Sequence, residues 1–177
     1  MDMLVKLYNL PMDWSFIQEQ KEKGITIRKP IGPERHYLVN WVKNHFQDLW
    51  SSEVDMAMSH WPVSCFVATR KKEGYGDSFS GYLGELIGFA CYDATALGFF
   101  GPIGVLDEHQ GKDTGKALLL ACLLDMRLKG YGYAVIGGAG PTSFYQKVAG
   151  AVEIPDSQPS VWEGILMDIH AFTDTEE

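Results

Sequence analysis

A short segment that joins a strand-like run to an apolar helix carries the residues best suited to chemistry. It reads Val105-Leu-Asp-Glu-His-Gln-Gly-Lys-Asp-Thr-Gly-Lys-Ala-Leu-Leu119, with two glycines, two lysines and small or polar residues around them. Backbone N–H groups converge at such a strand-to-helix turn, and the start of the helix adds a partial positive charge. The segment therefore predicts a site for an anion such as a phosphate or pyrophosphate.

An ATP-binding P-loop is one phosphate site that this segment does not match. That motif follows the pattern G-x-x-x-x-G-K-[ST], in which the last hydroxyl binds Mg²⁺. Ahead of Gly115 and Lys116, the position of the first glycine holds Gln110, and Ala117 stands where the hydroxyl is required. The residues exclude a P-loop.

A dinucleotide-binding fingerprint is the second alternative, at Val135-Ile-Gly-Gly-Ala-Gly-Pro-Thr-Ser143. Ser143 stands at the third glycine of the pattern, and too few residues follow for the remaining strands of a Rossmann unit. A glycine-rich strand end that permits close packing is the better interpretation of this segment.

The elements around the glycine turn alternate between strands and helices. β-branched and alternating runs predict strands at 3–9, 25–31, 62–70, 85–92, 97–105, 133–136, 151–154 and 162–170. Helical spacing of apolar residues predicts helices at 13–23, 37–46, 49–59, 115–129 and 141–148, and residues 71–84 are predicted to form a polar, Gly-rich loop. This order predicts an α/β (mixed α+β) fold with helices on the faces of one sheet.

The chain is expected to form one domain over residues 1–177. An N-terminal strand and helix extension covers 1–24, the core covers 25–170, and an acidic tail at 171–177 is expected to be frayed. The helix at 115–129 is apolar nearly all round and is predicted to be mostly buried. Asp13 or Ser15 is expected to cap the helix at 13–23, and Gly24 to end it.

Composition and charge narrow the class of protein. The 177 residues are 46% hydrophobic and 21% charged, with a formal net charge of −8. This charge argues against a nucleic-acid partner; it favours a cationic partner or serves solubility alone. Cys65, Cys91 and Cys122 are widely spaced and lie in apolar runs, so buried reduced thiols are expected. Neither a signal peptide nor an apolar run of roughly 20 residues is present, so the prediction is a cytoplasmic protein with no membrane partner.

Two segments together resemble the GNAT (Gcn5-related) N-acetyltransferases. Gln110-Gly-Lys-Asp-Thr-Gly115 resembles the Q/R-x-x-G-x-G/A pyrophosphate loop of that family, and Phe144-Tyr-Gln-Lys-Val-Ala-Gly150 resembles its later FYEK-x-GF helix. The helix and strand between them and the strand before the loop follow the order of the family. The resemblance covers roughly residues 25–169. It implies the GNAT acyl-CoA N-acyltransferase fold, with a central mixed and splayed sheet flanked by helices.

The resemblance also implies a site for acetyl-CoA and no metal. In GNAT enzymes the strand before the loop splays from its neighbour and exposes backbone groups to the pantetheine arm. Main-chain hydrogen bonds are thus expected from Ile103 and Val105, and the loop amides with Lys116 are expected to hold the pyrophosphate. The implied cofactor-binding residues are Ile103, Val105, Gln110, Gly111, Lys112, Asp113, Thr114, Gly115 and Lys116.

Asp113 departs from the family pattern, because it replaces the first glycine of the motif and places a carboxylate beside the incoming anion. Asp tolerates left-handed backbone conformations, so the turn is expected to survive. Its side chain is also suited to cap the following helix and compete with the phosphate for the same N–H groups. We therefore expect acetyl-CoA to bind about 1–2 kcal/mol more weakly than it would with glycine at this position.

Tyr145 aligns with the tyrosine that many GNAT enzymes use to protonate the departing CoA thiolate. The resemblance implies this catalytic role, and the alternative is a ring packed beneath the cofactor. The backbone N–H of Val105 is implied to stabilise the oxyanion, which makes Val105 the second catalytic residue.

The general base is left open. Candidates that would act through a water are Glu85, Asp93, Asp107 and Glu108. His109 is interpreted as a spacer in the loop. Aromatic residues at helical spacing are either core or the wall of an acceptor pocket, and these are Trp41, Phe46, Trp50 and Trp61. The polar segment at 156–162 is predicted to form a loop near the mouth of that pocket.

Two functions follow from the resemblance. The first is an acetyl-CoA-dependent N-acetyltransferase that transfers an acetyl group to a primary amine of a small molecule or protein by direct attack on the thioester. The alternative is a non-catalytic GNAT-fold protein that binds CoA or a partner. The amine is expected to be cationic, and a homodimer is expected because GNAT proteins are often dimers. The identity of the amine and the length of the acyl group are left open, because specificity lies in variable loops.

Overall fold

A computed structural model describes residues 1–72 and 83–167 of the chain. Within these ranges seven strands form one sheet: β1 (Met3–Lys6), β2 (Ile25–Arg28), β3 (Cys65–Lys71), β4 (Gly84–Tyr92), β5 (Phe99–Val105), β6 (Tyr133–Ile136) and β7 (Val152–Glu153). The α-helices are α1 (Ser15–Glu22), α2 (Arg35–His45), α3 (Asp48–Ser59), α4 (Thr114–Leu128) and α5 (Thr142–Ala149). Short 3-10 turns lie at Leu7–Asn9, Gly32–Glu34, Asp107–His109 and Ser160–Trp162.

The sheet opens between β5 and β6. Its strand order is β2-β3-β4-β5-β6-β1-β7, and every neighbouring pair is antiparallel except β5 and β6, which are parallel. Those two strands pair only where Phe99 faces Val135 and Phe100 faces Ile136. Among the described residues, the rest of β5 has no partner on this edge, and the fold is the predicted mixed and splayed α/β sheet.

β1 lies inside the sheet. Met3 faces Ile136 of β6 on one side and Glu153 of β7 on the other. In the described part of the chain, β7 joins the sheet through β1 alone. Residues 1–24 are thus an integral part of the fold rather than an addition at its edge.

Helices cover both faces of the sheet. α4 is buried on nearly all sides, as its sequence predicts, and packs with α1 and α5 against the face formed by residues such as Val5, Ile87 and Phe100. α2 and α3 cover the other face around Phe89. The three cysteines are buried and free, which confirms the prediction of reduced core thiols.

The helix boundaries follow the predicted signals closely. Asp13, and not Ser15, accepts the hydrogen bond at the start of α1: the N–H of Ser15 donates to Asp13 Oδ1 at 2.9 Å. Gly24 then takes a left-handed φ of +75° directly after the helix, a conformation that side-chain-bearing residues rarely adopt. The remaining predicted helices agree with α2 to α5 to within two residues at each end.

The prediction of a strand at 162–170 is wrong for its described part. Trp162 ends a 3-10 turn, and Gly164 has a φ of +71°, which turns the chain. Residues 168–170, the acidic tail and most of the predicted loop at 71–84 lie outside the described residues.

Five predicted strands are shorter in the structure, among them the one at 151–154, of which only Val152–Glu153 is a strand. The strand at 3–9 ends at Lys6 in a 3-10 turn, and the strand at 25–31 ends at Arg28. The strand at 62–70 begins only at Cys65, and the one at 97–105 begins at Phe99. Gly98, with a φ of +79°, sets the second of these starts, because it belongs to the turn and not to the strand. No helix in residues 1–72 and 83–167 is both long and apolar enough to cross a bilayer.

Candidate active site

A cleft of about 780 Å³ follows the open edge of β5. The β4–β5 turn and α3 lie at one end, the 110–116 loop and the start of α4 at the other, and residues 136–141 with Trp162 lie opposite β5. The cleft therefore begins where β5 and β6 separate, and it ends at the turn that the sequence predicts to bind an anion.

The register of β5 turns the main chain of Ile103 and Val105 toward this cleft. The N–H of Leu106 donates to Ile87 O at 2.9 Å, so Leu106 and Ile87 form a hydrogen-bonded pair of the antiparallel β4–β5 ladder. Such pairs alternate along a ladder, which leaves Val105 and Ile103 with N–H and C=O groups directed away from β4. No strand pairs with them on that side within the described residues, so both residues offer main-chain hydrogen bonds to a ligand.

The 110–116 loop turns directly into the start of α4. Asp113 takes a left-handed conformation with φ +60° and ψ +13°, and α4 begins at the next residue. This confirms that aspartate permits the turn. The side chain of Gln110 donates to Val105 O at 3.3 Å and to Asp107 Oδ1 at 2.8 Å, and thereby fixes the loop to the end of β5.

The carboxylate of Asp113 does not cap α4, contrary to the interpretation from sequence. It makes no hydrogen bond to the N–H groups of the helix start, and its Oδ2 atom lies 3.5 Å from Nζ of Lys23 on the segment after α1. The side chain of Asp113 is 70% exposed. The first N–H groups of α4 thus stay free of side-chain competition, and a cation partly offsets the charge of the carboxylate.

Gln20 of α1 holds the same loop from beneath. Its Nε2 atom donates to Lys112 O at 2.8 Å, and its Oε1 atom accepts a hydrogen bond from Thr114 Oγ1 at 2.9 Å. Gln20 is only 1% exposed, and Lys23 adds a second hydrogen bond to Lys112 O at 3.1 Å. A buried side chain 92 and 94 residues away in sequence, which sequence reasoning missed, therefore fixes the two residues on either side of Asp113.

The structure gathers eight of the nine predicted cofactor-binding residues in one cleft. Lining residues are Ile103, Val105, Gln110, Gly111, Asp113, Thr114, Gly115 and Lys116. Lys112 does not line it: its carbonyl is engaged by Gln20 and Lys23, and the residue is exposed. The binding roles themselves stay predictions.

Tyr145 lies at the wall of the cleft. Its ring is buried, at 6% exposure, and packs edge-on against Phe100 and Phe144. Burial raises the pKa of its hydroxyl. Within the described chain no buried side-chain oxygen or nitrogen lacks a partner, and the hydroxyl of Tyr145 has no hydrogen bond, so it opens onto the cleft. The structure is thus compatible with both interpretations of Tyr145, as a packed ring and as a proton donor, because the ring is packed and the hydroxyl is available to a ligand.

None of the four proposed general bases lines the cleft. Glu85 accepts from Arg70 Nε at 2.5 Å, and this pairing lowers its pKa. Asp93 accepts hydrogen bonds from the hydroxyl of Tyr131 and the N–H of Gly98, so it stabilises the β4–β5 turn. The other two, Asp107 and Glu108, are exposed in the 3-10 turn after β5.

Glu53 is the carboxylate that sequence reasoning missed. It lies on α3, is half-buried, lines the cleft, and accepts a hydrogen bond from Thr95 Oγ1 in the β4–β5 turn. Burial raises the pKa of Glu53, and the hydrogen bond from Thr95 partly opposes that shift. A signal in the sequence could have pointed to Glu53. It precedes the buried Val54 by one residue and follows Trp50 by three, so it lies at the edge of the buried face of α3.

The aromatic candidates separate into core, wall and surface. Trp50 lines the cleft, whereas Trp41 is buried in the core beneath α2, and Trp61 is 94% exposed and does not line it. The ring of Phe46 stacks on Trp50 and covers Gly104, where an added Cβ would approach the ring to 2.6 Å. Trp162, the last residue of the segment at 156–162, also lines the cleft; that this segment borders an acceptor pocket stays a prediction.

Comparison with models of known protein families gives no match, and comparison with curated proteins gives none either. Two solved structures are similar to this chain. The first is described as a unique GCN5-related glucosamine N-acetyltransferase region in a fungal multi-domain GH3 β-N-acetylglucosaminidase; the TM-score is 0.63 at 13% identity, over 84% of this chain and 19% of that one. The second is a Drosophila protein solved by a structural genomics consortium; the TM-score is 0.55 at 12% identity, over 86% of this chain and 46% of that one.

The chain thus spans about a fifth of the first of these proteins and just under half of the second. At these identities the likeness establishes the fold. The chain has the fold of the GCN5-related N-acetyltransferases, as the motifs at 110–115 and 144–150 predict. Within the described ranges, no group of three or more His, Cys, Asp or Glu side chains is arranged to hold a metal ion.

Proposed function

We propose that this protein is an acetyl-CoA-dependent N-acetyltransferase that acts on a primary amine. The observation that carries the proposal is the cleft itself, which joins the open edge of β5, the 110–116 loop and the hydroxyl of Tyr145. The similarity to the GCN5-related region of the fungal protein supports this class of function through the fold.

The residues present fit the two parts of a CoA ester. The start of α4 offers unpaired N–H groups to a pyrophosphate, and Lys116 in its first turn adds a positive charge. Within the described residues, the main chain of Ile103 and the N–H of Val105 have no strand partner on the cleft side, so they are available to the amide and carbonyl groups of an acylated pantetheine arm. Acetyl-CoA would supply an activated acyl group.

The chain supplies positioning, charge stabilisation and a proton. The N–H of Val105 is directed into the cleft and would stabilise the negative charge that develops on a carbonyl oxygen there. Tyr145 would give its hydroxyl proton to the departing sulfur. The raised pKa of this phenol keeps it protonated at neutral pH, which is the state that a general acid requires.

Titration calorimetry with acetyl-CoA tests the proposal first, with free CoA and NAD as comparison ligands. We expect micromolar binding of acetyl-CoA and no response to NAD, because the loop is suited to a pyrophosphate on a pantetheine arm. Lys116→Met should weaken binding. Lys129→Met, at the exposed far end of α4, is the matched control and should not change it.

Turnover separates the two candidate functions. Release of free thiol from acetyl-CoA is measured with a panel of primary amines that includes a polyamine, an aminoglycoside and a lysine-containing peptide. Turnover with any of them supports an N-acetyltransferase. Binding of acetyl-CoA without turnover would instead support the non-catalytic CoA-binding alternative. If the protein neither binds nor turns over acetyl-CoA, the proposed cofactor site is wrong.

A further inference from the structure

We infer that Glu53 and Thr95 form the acceptor site of this protein, in which Glu53 binds an amine that arrives as an ammonium ion and removes its proton. The inference rests on the proposed function and names its missing general base. It also narrows the acceptor to amines that are cationic at neutral pH.

Geometry limits the choice of base to few groups. Only two carboxylates in the described chain line the cleft, Glu53 and Asp113. Asp113 lies at the loop end and is paired with Lys23, whereas Glu53 lies at the opposite end, where Thr95 precedes β5. An acyl group carried on a ligand seated on the loop would lie along β5 with its carbonyl at the N–H of Val105, and an amine that enters from the α3 end would pass Glu53 to reach it.

The surroundings of Glu53 suit a cation. Trp50 lies on the same face of α3 and Trp162 lines the cleft as well, so aromatic rings and one carboxylate bound this end. Aromatic faces and carboxylates both attract ammonium ions. The hydrogen bond from Thr95 occupies one carboxylate oxygen and orients the other, which is left for the amine.

The proton balance is complete with the groups at hand. The Glu53 carboxylate takes one proton from R–NH₃⁺, and the freed lone pair forms the new C–N bond to the thioester carbon as the C–S bond breaks. The sulfur receives the proton of Tyr145. A second nitrogen proton leaves in the same step and restores the tyrosine through cleft water, and Glu53 returns its proton to solvent.

Other titratable groups lie around the cleft, and their effect on the pH dependence must be distinguished from that of Glu53. The thiol of Cys91 lies behind it on β4, with its pKa raised mainly by burial and in part by the charge of Glu53. His109, Lys116 and Asp113 line the far end of the cleft. Burial raises the pKa of Glu53, so its carboxylate is a stronger base than an exposed one.

Glu53→Gln tests the inference, with kcat/KM measured for an alkyl primary amine and for methoxyamine, which is already neutral at pH 7. We expect a fall of about 100-fold with the alkyl amine, the scale of general-base catalysis, and a change of less than about threefold with methoxyamine. In the variant, the acid limb of the pH profile of kcat/KM for the alkyl amine should move up toward the pKa of the free amine, because only the neutral amine then reacts, and this limb should stay in place in His109→Gln. Thr95→Val should give a smaller fall of the same kind.

Asp55→Asn is the matched control, since Asp55 lies on the same helix but is exposed and paired with Arg35. Burial raises the pKa of Glu53 in the folded protein. Above that pKa the buried carboxylate is charged, and this charge lowers the free energy of unfolding. Glu53→Gln should therefore melt at or above the wild-type temperature at pH 8. Equal losses with both acceptors, or no loss while the wild type turns over, would overturn the role of Glu53 and leave the proposed function standing. Failure of the wild type to acetylate any amine would overturn both.

Discussion

At Asp113 a single residue combines a conformational requirement with an electrostatic penalty. Its left-handed backbone starts α4 at the right place, and its carboxylate lies beside the predicted path of the pyrophosphate. Lys23 reduces the penalty, because its ammonium lies 3.5 Å from the carboxylate. Exposed pairs of this kind contribute little on their own, so Asp113 still carries part of its cost.

Asp113→Gly should therefore tighten acetyl-CoA binding, by about 1 kcal/mol, the lower end of the estimate from sequence. Glycine adopts the same φ without strain, and the removed charge no longer repels the phosphates. Calorimetry measures the change directly, and Asp156→Gly is a control at another aspartate with a positive φ, outside the cleft. Unchanged or weaker binding in Asp113→Gly would refute the electrostatic argument.

Tyr145→Phe should lower kcat about 100-fold and leave the affinity for acetyl-CoA nearly unchanged. The ring packs against Phe100 and Phe144, and phenylalanine preserves those contacts while it removes the hydroxyl that opens onto the cleft. The measurement is kcat together with a calorimetric Kd. Tyr37→Phe, at an exposed tyrosine of α2, is the control. An intact rate would show that the leaving thiolate takes its proton elsewhere.

At the scale of elements, α1 acts as a support for the 110–116 loop. Gln20 joins Lys112 and Thr114, on either side of the left-handed residue, through two hydrogen bonds that are shielded from water. Because buried polar groups are costly when they lose their partners, the helix constrains the loop more strongly than surface contacts would. The predicted anion site is therefore shared between two parts of the chain that are remote in sequence.

Gln20→Met should lower the free energy of unfolding by about 1–3 kcal/mol and weaken acetyl-CoA binding about 5- to 10-fold. Both effects have one cause, the unpaired Thr114 hydroxyl and Lys112 carbonyl. Thermal melts and calorimetry measure them, and Gln18→Met, at an exposed position of the same helix, is the control. A lower melting temperature with unchanged affinity would mean that Gln20 stabilises the fold without positioning the loop.

The local elements of this fold follow from sequence, and the contacts between distant ones do not. The periodicity of α4, the glycine turn before it and the Phe144–Tyr145 helix are local patterns, so the loop and the presence of Tyr145 beside it in one cleft could be predicted. Glu53 could not, because its role depends on the packing of α3 beside the β4–β5 turn. The same holds for Gln20, which reads as one more polar residue of an amphipathic helix until its partners are known.

At the scale of the whole molecule, the N-terminal segment organises both ends of the cleft. Asp2 is 6% exposed: its Oδ1 atom accepts from the N–H of Gly138 at 2.9 Å, and its Oδ2 atom accepts from the hydroxyl of Ser160. These bonds place Trp162 next to the glycine-rich end of β6. If Gly138 carried a Cβ, that atom would lie 3.6 Å from the indole nitrogen of Trp162. Asp2 thus supports the cleft wall at Trp162, while α1 supports the 110–116 loop.

Asp2→Ala should lower the free energy of unfolding by about 1–3 kcal/mol, because the N–H of Gly138 and the hydroxyl of Ser160 lose their buried acceptor. For a chain of this size that corresponds to roughly 2–4 °C in Tm for each kcal/mol. Glu163→Ala, exposed in the same C-terminal segment, is the control for a lost carboxylate. If both variants melt together with the wild type, the bonds of Asp2 do not anchor that segment.

The pairing of β1 with β6 also has a consequence while the chain is being synthesised. β1 pairs with β6, from which about 130 residues separate it, and β7 attaches only to β1 in the described chain. At ribosomal rates of about 5–20 residues per second, β1 waits roughly 6–26 s for its partner. During this interval Met3 and Val5, both fully buried in the finished protein, have no sheet to cover them. The nascent chain therefore exposes the apolar strand β1 until β6 has been made. A chaperone that binds exposed apolar segments would act on β1 during this interval.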